Sequence, residues 1–183
     1  MRKHQRKRRA RGGFSLAEML VTLIILSLLS AAAGMGVTQA LYQRSQSIAL
    51  ADAQTVASTA AQVITDQLRY GQIAQVESDG AIVLSSGVYK APVVLGLDAQ
   101  GRLITQGATA GSGGVVRGTA HALLGEDAYC GLHLSELEFN VNKSGDTVNF
   151  VTVSLSVAKA GETESLWSLE FSVAPMDQRS FSL

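Results

Sequence analysis

The sequence predicts an α+β fold in which one long N-terminal helix, membrane-spanning and then amphipathic, packs on a C-terminal antiparallel β-sheet. Three observations carry this expectation. Phe14 to Val37 is an apolar run holding a single charge, Glu18, and it meets the length of about 20 residues that a bilayer requires. From Gln39 to Tyr70 apolar and polar residues interleave at helical spacing, and no proline occurs before Pro92. From Leu137 onward, apolar residues recur at every second position in three segments separated by turn-forming stretches.

The chain has 183 residues, and residues 1–13 hold seven of its 15 Lys and Arg side chains and none of its 15 acids. Directly before an apolar run, such a cluster keeps its flank in the cytoplasm by the positive-inside rule. The formal net charge of zero therefore hides an asymmetry. Residues 14–183 carry 8 basic and 15 acidic side chains, a balance of −7. An acidic body disfavours duplex DNA, whose phosphates attract cations. No nucleic-acid partner is expected for it.

Leu41, Ile48, Val56, Ala60, Ile64 and Leu68 fall near one helical face, with Gln43, Gln46, Gln54 and Gln62 between them. A continuous helix from about Ser15 to Tyr70 would extend roughly 84 Å at the α-helical rise. Its first half is apolar all round, and its second half has one face suited to a head domain. Ala32, Gly36 and Ala40 form a ridge of small residues. Such a ridge either lets helices approach closely or simply fills the span. Gly34-Met35-Gly36 lowers helix propensity locally.

Gly71 marks the expected helix end, and residues 71–183 follow it. Ala81–Leu84 and Val88–Leu95 are expected as short strands, with a further one over 101–106. Gly107–Gly114 is so rich in glycine that it is expected as a surface loop. It lacks the Gly-Lys-Ser/Thr ending of a phosphate-binding loop. Leu137, Phe139 and Val141 alternate with polar residues, as do Val151–Val157 and Trp167–Val173. The turns are expected at Asn142–Asp146 and Lys159–Glu162, giving a three-stranded meander with one apolar face. Trp167 and Phe171 are expected in the core, and Glu136 and Glu138 in water.

The residues that carry chemistry are sparse. His4, His121 and His133 have no metal-ligand spacing, and no Gly-x-Ser-x-Gly elbow occurs. Glu126-Asp127 is too slight to specify a cation site. Cys130 is the only cysteine, so no intrachain disulfide forms, and it is expected as a small, partly buried side chain. No enzymatic activity, catalytic residue, cofactor or metal is expected.

Glu18 is the exception. A charged side chain in mid-bilayer costs roughly 2.5–3.5 kcal/mol on insertion scales, so an acid there requires a partner. Gly13, Phe14, Ser15, Leu16, Ala17 and Glu18, behind a basic leader and before a long apolar run, resemble the processing site of type IV pilins and pseudopilins. The resemblance covers about residues 1–40. It implies cleavage between Gly13 and Phe14 by a prepilin peptidase and N-methylation of Phe14. It also implies an assembly role for Glu18, which would meet the new amino group of a neighbouring subunit's Phe14.

On this reading the chain has a leader at 1–13, a transmembrane half-helix at 14–37, an amphipathic half at 38–70 and an exported head at 71–183. Its partners are the peptidase, other pilin subunits and the membrane. The head would be exported and later displayed on a filament. Many pilins clip a C-terminal loop with a cysteine pair; the lone Cys130 departs from that pattern and favours a minor subunit. A different reading makes the apolar run a secretory signal cut after Ala33, or a plain anchor, on a non-enzymatic binding module. That alternative leaves Glu18 and the Gly13–Phe14 junction without a purpose.

Overall fold

The structure, a computed structural model, describes residues 15–85, 91–111, 114–162 and 164–179. The chain divides into two compact units between Gln46 and Ser47. Helix α1, Leu16–Tyr70, supplies the described part of the first unit beyond Ser15 and opens the second.

Within the first unit the apolar side chains have no cover. Leu20, Ile24, Ile25 and Leu29 are each at least half exposed. A helix apolar all round and unburied in its own chain needs lipid or other helices against it. Its hydroxyls are satisfied internally. Thr22 donates to the Met19 carbonyl at 2.9 Å, Ser27 to Ile24 at 2.8 Å, Ser30 to Leu26 at 2.8 Å and Thr38 to Met35 at 2.9 Å. The helix continues through Gly34-Met35-Gly36.

In the second unit α1 buries Ala53, Val56, Ala57, Ala60, Ile64 and Leu68. The packed face is shorter than the sequence suggested: Leu41 and Ile48 are 60% and 52% exposed. Among the described residues eight strands follow, in two antiparallel sheets. The first sheet is a meander of β1 (Gln72–Val76), β2 (Ile82–Ser85), β3 (Pro92–Leu97), β4 (Leu103–Gly111) and β5 (Gly114–Ala122). The second is the expected three-stranded meander of β6 (Leu132–Ser144), β7 (Thr147–Lys159) and β8 (Ser165–Val173). A 3-10 turn, Glu126–Tyr129, lies between them. The helical face and one face of each sheet enclose a common core that includes Ile64, Leu84, Leu95, Tyr129 and Val153.

β2 and β3 lack polar alternation because both their faces are buried. Val83 and Val94 turn away from the main core and pack with Ala81 and Ala108, sheltered in part by Val115. The cover comes from the far end of the β4–β5 hairpin, tied down by an Arg117–Asp79 ion pair at 2.7 Å. The expected loop at Gly107–Gly114 is thus mostly strand: its described residues end β4 and begin β5. Small residues failed to signal a strand because the pairing is main-chain. The beginning of the expected Val88–Leu95 strand, and the Ser86-Gly87 turn before it, lie outside the described residues.

Two further expectations are corrected. Cys130 is exposed and occupies a left-handed conformation, φ 51°, because it closes the 3-10 turn. Trp167 is 36% exposed, because β8 is an edge strand with no neighbour beyond it among the described residues. Phe171 does pack against the core, half-buried. Glu136 and Glu138 are exposed, as expected.

The C-terminal segment fastens the end of α1 to the β6–β7 turn. Met176 donates its N–H to the Arg69 carbonyl at 2.8 Å, and Val148 donates to the Gln178 carbonyl at 2.7 Å. Asp177 accepts hydrogen bonds from Gln72 and from Arg179. The Arg179 guanidinium, then Gln72, hold its carboxyl far below the usual carboxylate range. The Arg117 guanidinium also lowers the Asp79 carboxyl, against a smaller upward push from burial. At Asp98 burial pushes upward, but the backbone N–H groups of Arg102 and Gln100 and the Arg102 guanidinium outweigh it.

A carboxyl lowered on folding stabilises the fold above its unfolded pKa, about 3.9 for Asp, and loses that contribution as pH falls through the folded value. The second unit is therefore expected to hold its stability from neutral pH down to about 4 and to weaken below that. Asp177→Asn should flatten part of the acid limb in a denaturant titration run at successive pH values. An acid limb identical to that of the parent would remove Asp177 from this account.

Candidate processing and assembly segment

Gly13 and Phe14, the expected cleavage pair, lie outside the described residues, as does the rest of the expected leader. Glu18 is described, in the first turn of α1. Ser15 caps that turn: its Oγ accepts the Glu18 N–H at 3.2 Å. Its carbonyl accepts the N–H groups of Glu18 and Met19 at 3.0 and 3.2 Å. With Ser15 as cap, Glu18 is the third helical residue, so Ser15-Leu16-Ala17-Glu18 has the Ser-x-x-Glu pattern of a capping box. The sequence carried that signal, and the reading of Glu18 as an intramembrane acid passed over it.

The cap changes what Glu18 does locally. An acid in the first turn complements the positive end of the helix dipole, a gain of about 0.3–1 kcal/mol at exposed sites. This is smaller than the cost of a charge in mid-bilayer, roughly 2.5–3.5 kcal/mol. Helix-end electrostatics alone therefore leave a carboxylate in hydrocarbon under-compensated. The side chain is exposed, and no other charge occurs from Ser15 to Gln43.

A Cβ added at Gly34 or Gly36 would meet nothing within 4 Å, so the small size of these residues answers no neighbour within the chain. By length and composition the helix is apolar enough to cross a membrane, and none of its most apolar window is buried.

Elsewhere the polar groups serve the fold. A groove of about 790 Å³ is lined by Gln100, Arg102, Glu126, His133 and Glu162. At its wall Arg102 is held by Asp98 at 2.7 Å, and the Tyr129 phenol accepts the Leu103 N–H at 2.7 Å. Gly101, φ +71°, is required there, since a Cβ would lie 2.5 Å from the Leu134 carbonyl oxygen. Among the described residues no three His, Cys, Asp or Glu side chains converge to hold a metal ion.

Searches of curated proteins and of solved structures find no match to this chain. The prokaryotic N-terminal methylation motif matches residues 8–34, a stretch that contains Gly13, Phe14, Ser15 and Glu18. The N-terminal segment thus carries the signature of prepilin-type sequences, those of type IV pilins and pseudopilins, ahead of a long helix and antiparallel sheets laid out as in a pilin-like fold.

Proposed function

We propose that this protein is a minor subunit of a type IV pilus or pseudopilus filament. The single observation that carries the proposal is the methylation motif at residues 8–34, which runs directly into an apolar, uncovered helix. The basic leader, 1–13, stays cytoplasmic, residues 14–37 span the membrane, 38–70 continue the helix, and 71–183 form the exported head. A prepilin peptidase cuts between Gly13 and Phe14, where glycine leaves room for a protease to approach the backbone. It then methylates the Phe14 amine, which keeps its positive charge. A subunit entering the filament brings that cation beside the Glu18 carboxylate of a neighbour, and the pair sets axial register.

Pairing is favoured because both charges are otherwise stranded in lipid, where an unpaired charge is expensive and a matched one is much less so. The filament core is then built from uncovered α1 helices, with the space at Gly34 and Gly36 allowing close approach. Mass spectrometry of protein taken from its native cell is expected to show a chain starting at Phe14 and carrying one added methyl group. A chain that still begins at Met1, or that begins after Ala33, would end this reading in favour of an anchored or secreted binding module.

A further inference from the structure

We propose that the free edge of β8 docks a second copy of this chain through that copy's β5. The proposal rests on the filament reading above. β8 pairs only with β7, and β5 only with β4. Among the described residues, each therefore leaves a row of main-chain N–H and C=O groups unpaired along one side. Edges of this kind are normally blunted by proline or lysine. Neither β8 nor β5 contains either residue. β8 has its irregularity near its start, and its register against β7 is even from Trp167 to Val173.

The side chains of β8 state what must lie beside it. On β7 the inward row Val151, Val153, Leu155 and Val157 is at most 1% exposed. On β8 the corresponding row, Trp167, Leu169 and Phe171, is only partly covered, because no further strand shelters it. The occupant must bring an apolar side chain to that face. On the opposite face Glu170 shares a groove of about 420 Å³ with Glu138 and Glu77. There the occupant must bring a cation and no acid.

The four strands at sheet edges are β1, β5, β6 and β8. β6 carries Glu136 and Glu138, and β1 carries no charge. β5 carries Arg117 and His121 with no acid. Its regular stretch before the bulge near Gly118 contains Val116, 57% exposed, next to Arg117. In a strand these neighbours point to opposite faces, one apolar and one cationic. Arg117 is held by Asp79 of its own copy but keeps 32% of its side chain exposed. A guanidinium has donors enough for a second carboxylate. Joining β5 of one copy to β8 of the next uses two different patches, so the contact can repeat from copy to copy and, where the rotation does not close a ring, builds the open array that a filament demands.

The test uses the full chain in its native cell, in a Cys130→Ser background. Directly opposed strand residues have Cα atoms about 4.5–5.5 Å apart, within disulfide range. With the two strands antiparallel and Arg117 opposite Glu170, Val116 falls opposite Phe171. Arg117→Cys with Glu170→Cys is therefore one pair, and Val116→Cys with Phe171→Cys is a second that spares the Asp79–Arg117 ion pair. Under mild oxidation either pair is expected to give a reducible ladder of subunit multiples, absent from every single-cysteine variant. No ladder from either pair, with Phe14-methylated subunit present in sheared filaments, overturns the proposal. So do dimers from Val116→Cys alone, which would mean two-fold β5–β5 pairing, and so does cross-linking to a different protein. If Phe14 is never methylated, the filament reading falls separately. A ladder in the membrane fraction then still supports the edge contact, and its absence overturns it.

Discussion

Glu18→Ala is expected to leave cleavage after Gly13 intact and to lower incorporation into filaments by about tenfold or more. The direction follows from comparing two states. In the membrane, alanine removes a cost of roughly 2.5–3.5 kcal/mol, the mid-span value for a buried charge. In the filament it removes the proposed pair between Glu18 and a neighbour's Phe14 amine. Glu18 lies in the first turn of α1, so it bears only part of the mid-span cost. Half of that cost already corresponds to about tenfold, since about 1.4 kcal/mol is one factor of ten. Both changes favour the membrane pool over the filament.

The capping geometry supplies a sharper comparison. Glu18 is the third residue after the Ser15 cap, a position where Gln serves as well as Glu. Glu18→Gln therefore keeps the local helix end while deleting the charge. If pairing with the Phe14 amine governs entry, Gln fails as badly as Ala. If Glu18 acts only on the helix end, Gln keeps the capping-box side chain, loses no more than the dipole gain of about 0.3–1 kcal/mol, and assembles better than Ala. Quantifying each variant in sheared filaments, alongside its mature N-terminal mass, separates the two. Wild-type yield from both variants would remove Glu18 from assembly altogether.

Much of the architecture was legible because the patterns were long. Val151 to Val157 alternate without a break, and β7 sits in the middle of its sheet with that row buried. The helix end at Gly71 was legible for a steric reason: a Cβ there would lie 2.8 Å from both the Gln67 carbonyl oxygen and Leu84 Cδ1. The β4–β5 hairpin was not legible. Glycine and alanine have little side chain to alternate, and what holds this hairpin down is Arg117 meeting Asp79 from 38 residues earlier in sequence. No local pattern encodes a contact at that separation. Trp167 was misplaced for a related reason, since periodicity reports which face a residue takes and not whether its strand lies at an edge. At the N-terminus the opposite error occurred. Ser15 to Glu18 holds a local capping signal that the apolar run around it outweighs.

The extent of the packed helical face gives the second large expected effect. Periodicity placed Leu41, Ile48, Val56, Ala60, Ile64 and Leu68 together, yet within this chain only the last four are buried. Ile64 is 0% exposed in a core shared by helix and both sheets, so Ile64→Ala removes apolar contacts and leaves a cavity. A loss of about 2–5 kcal/mol is expected for such a truncation. Ile48 is 52% exposed, so Ile48→Ala should stay within about 0.5 kcal/mol. The single tryptophan, Trp167, lies in β8 and reports unfolding of this unit by fluorescence. Denaturant titration of the full chain in detergent is the measurement. Equal losses at both positions would mean that the helix is gripped by the head five residues before Ala53, where burial begins. A small loss at Ile64 would contradict the core itself, because a fully enclosed isoleucine cannot be shortened without leaving its neighbours unpacked.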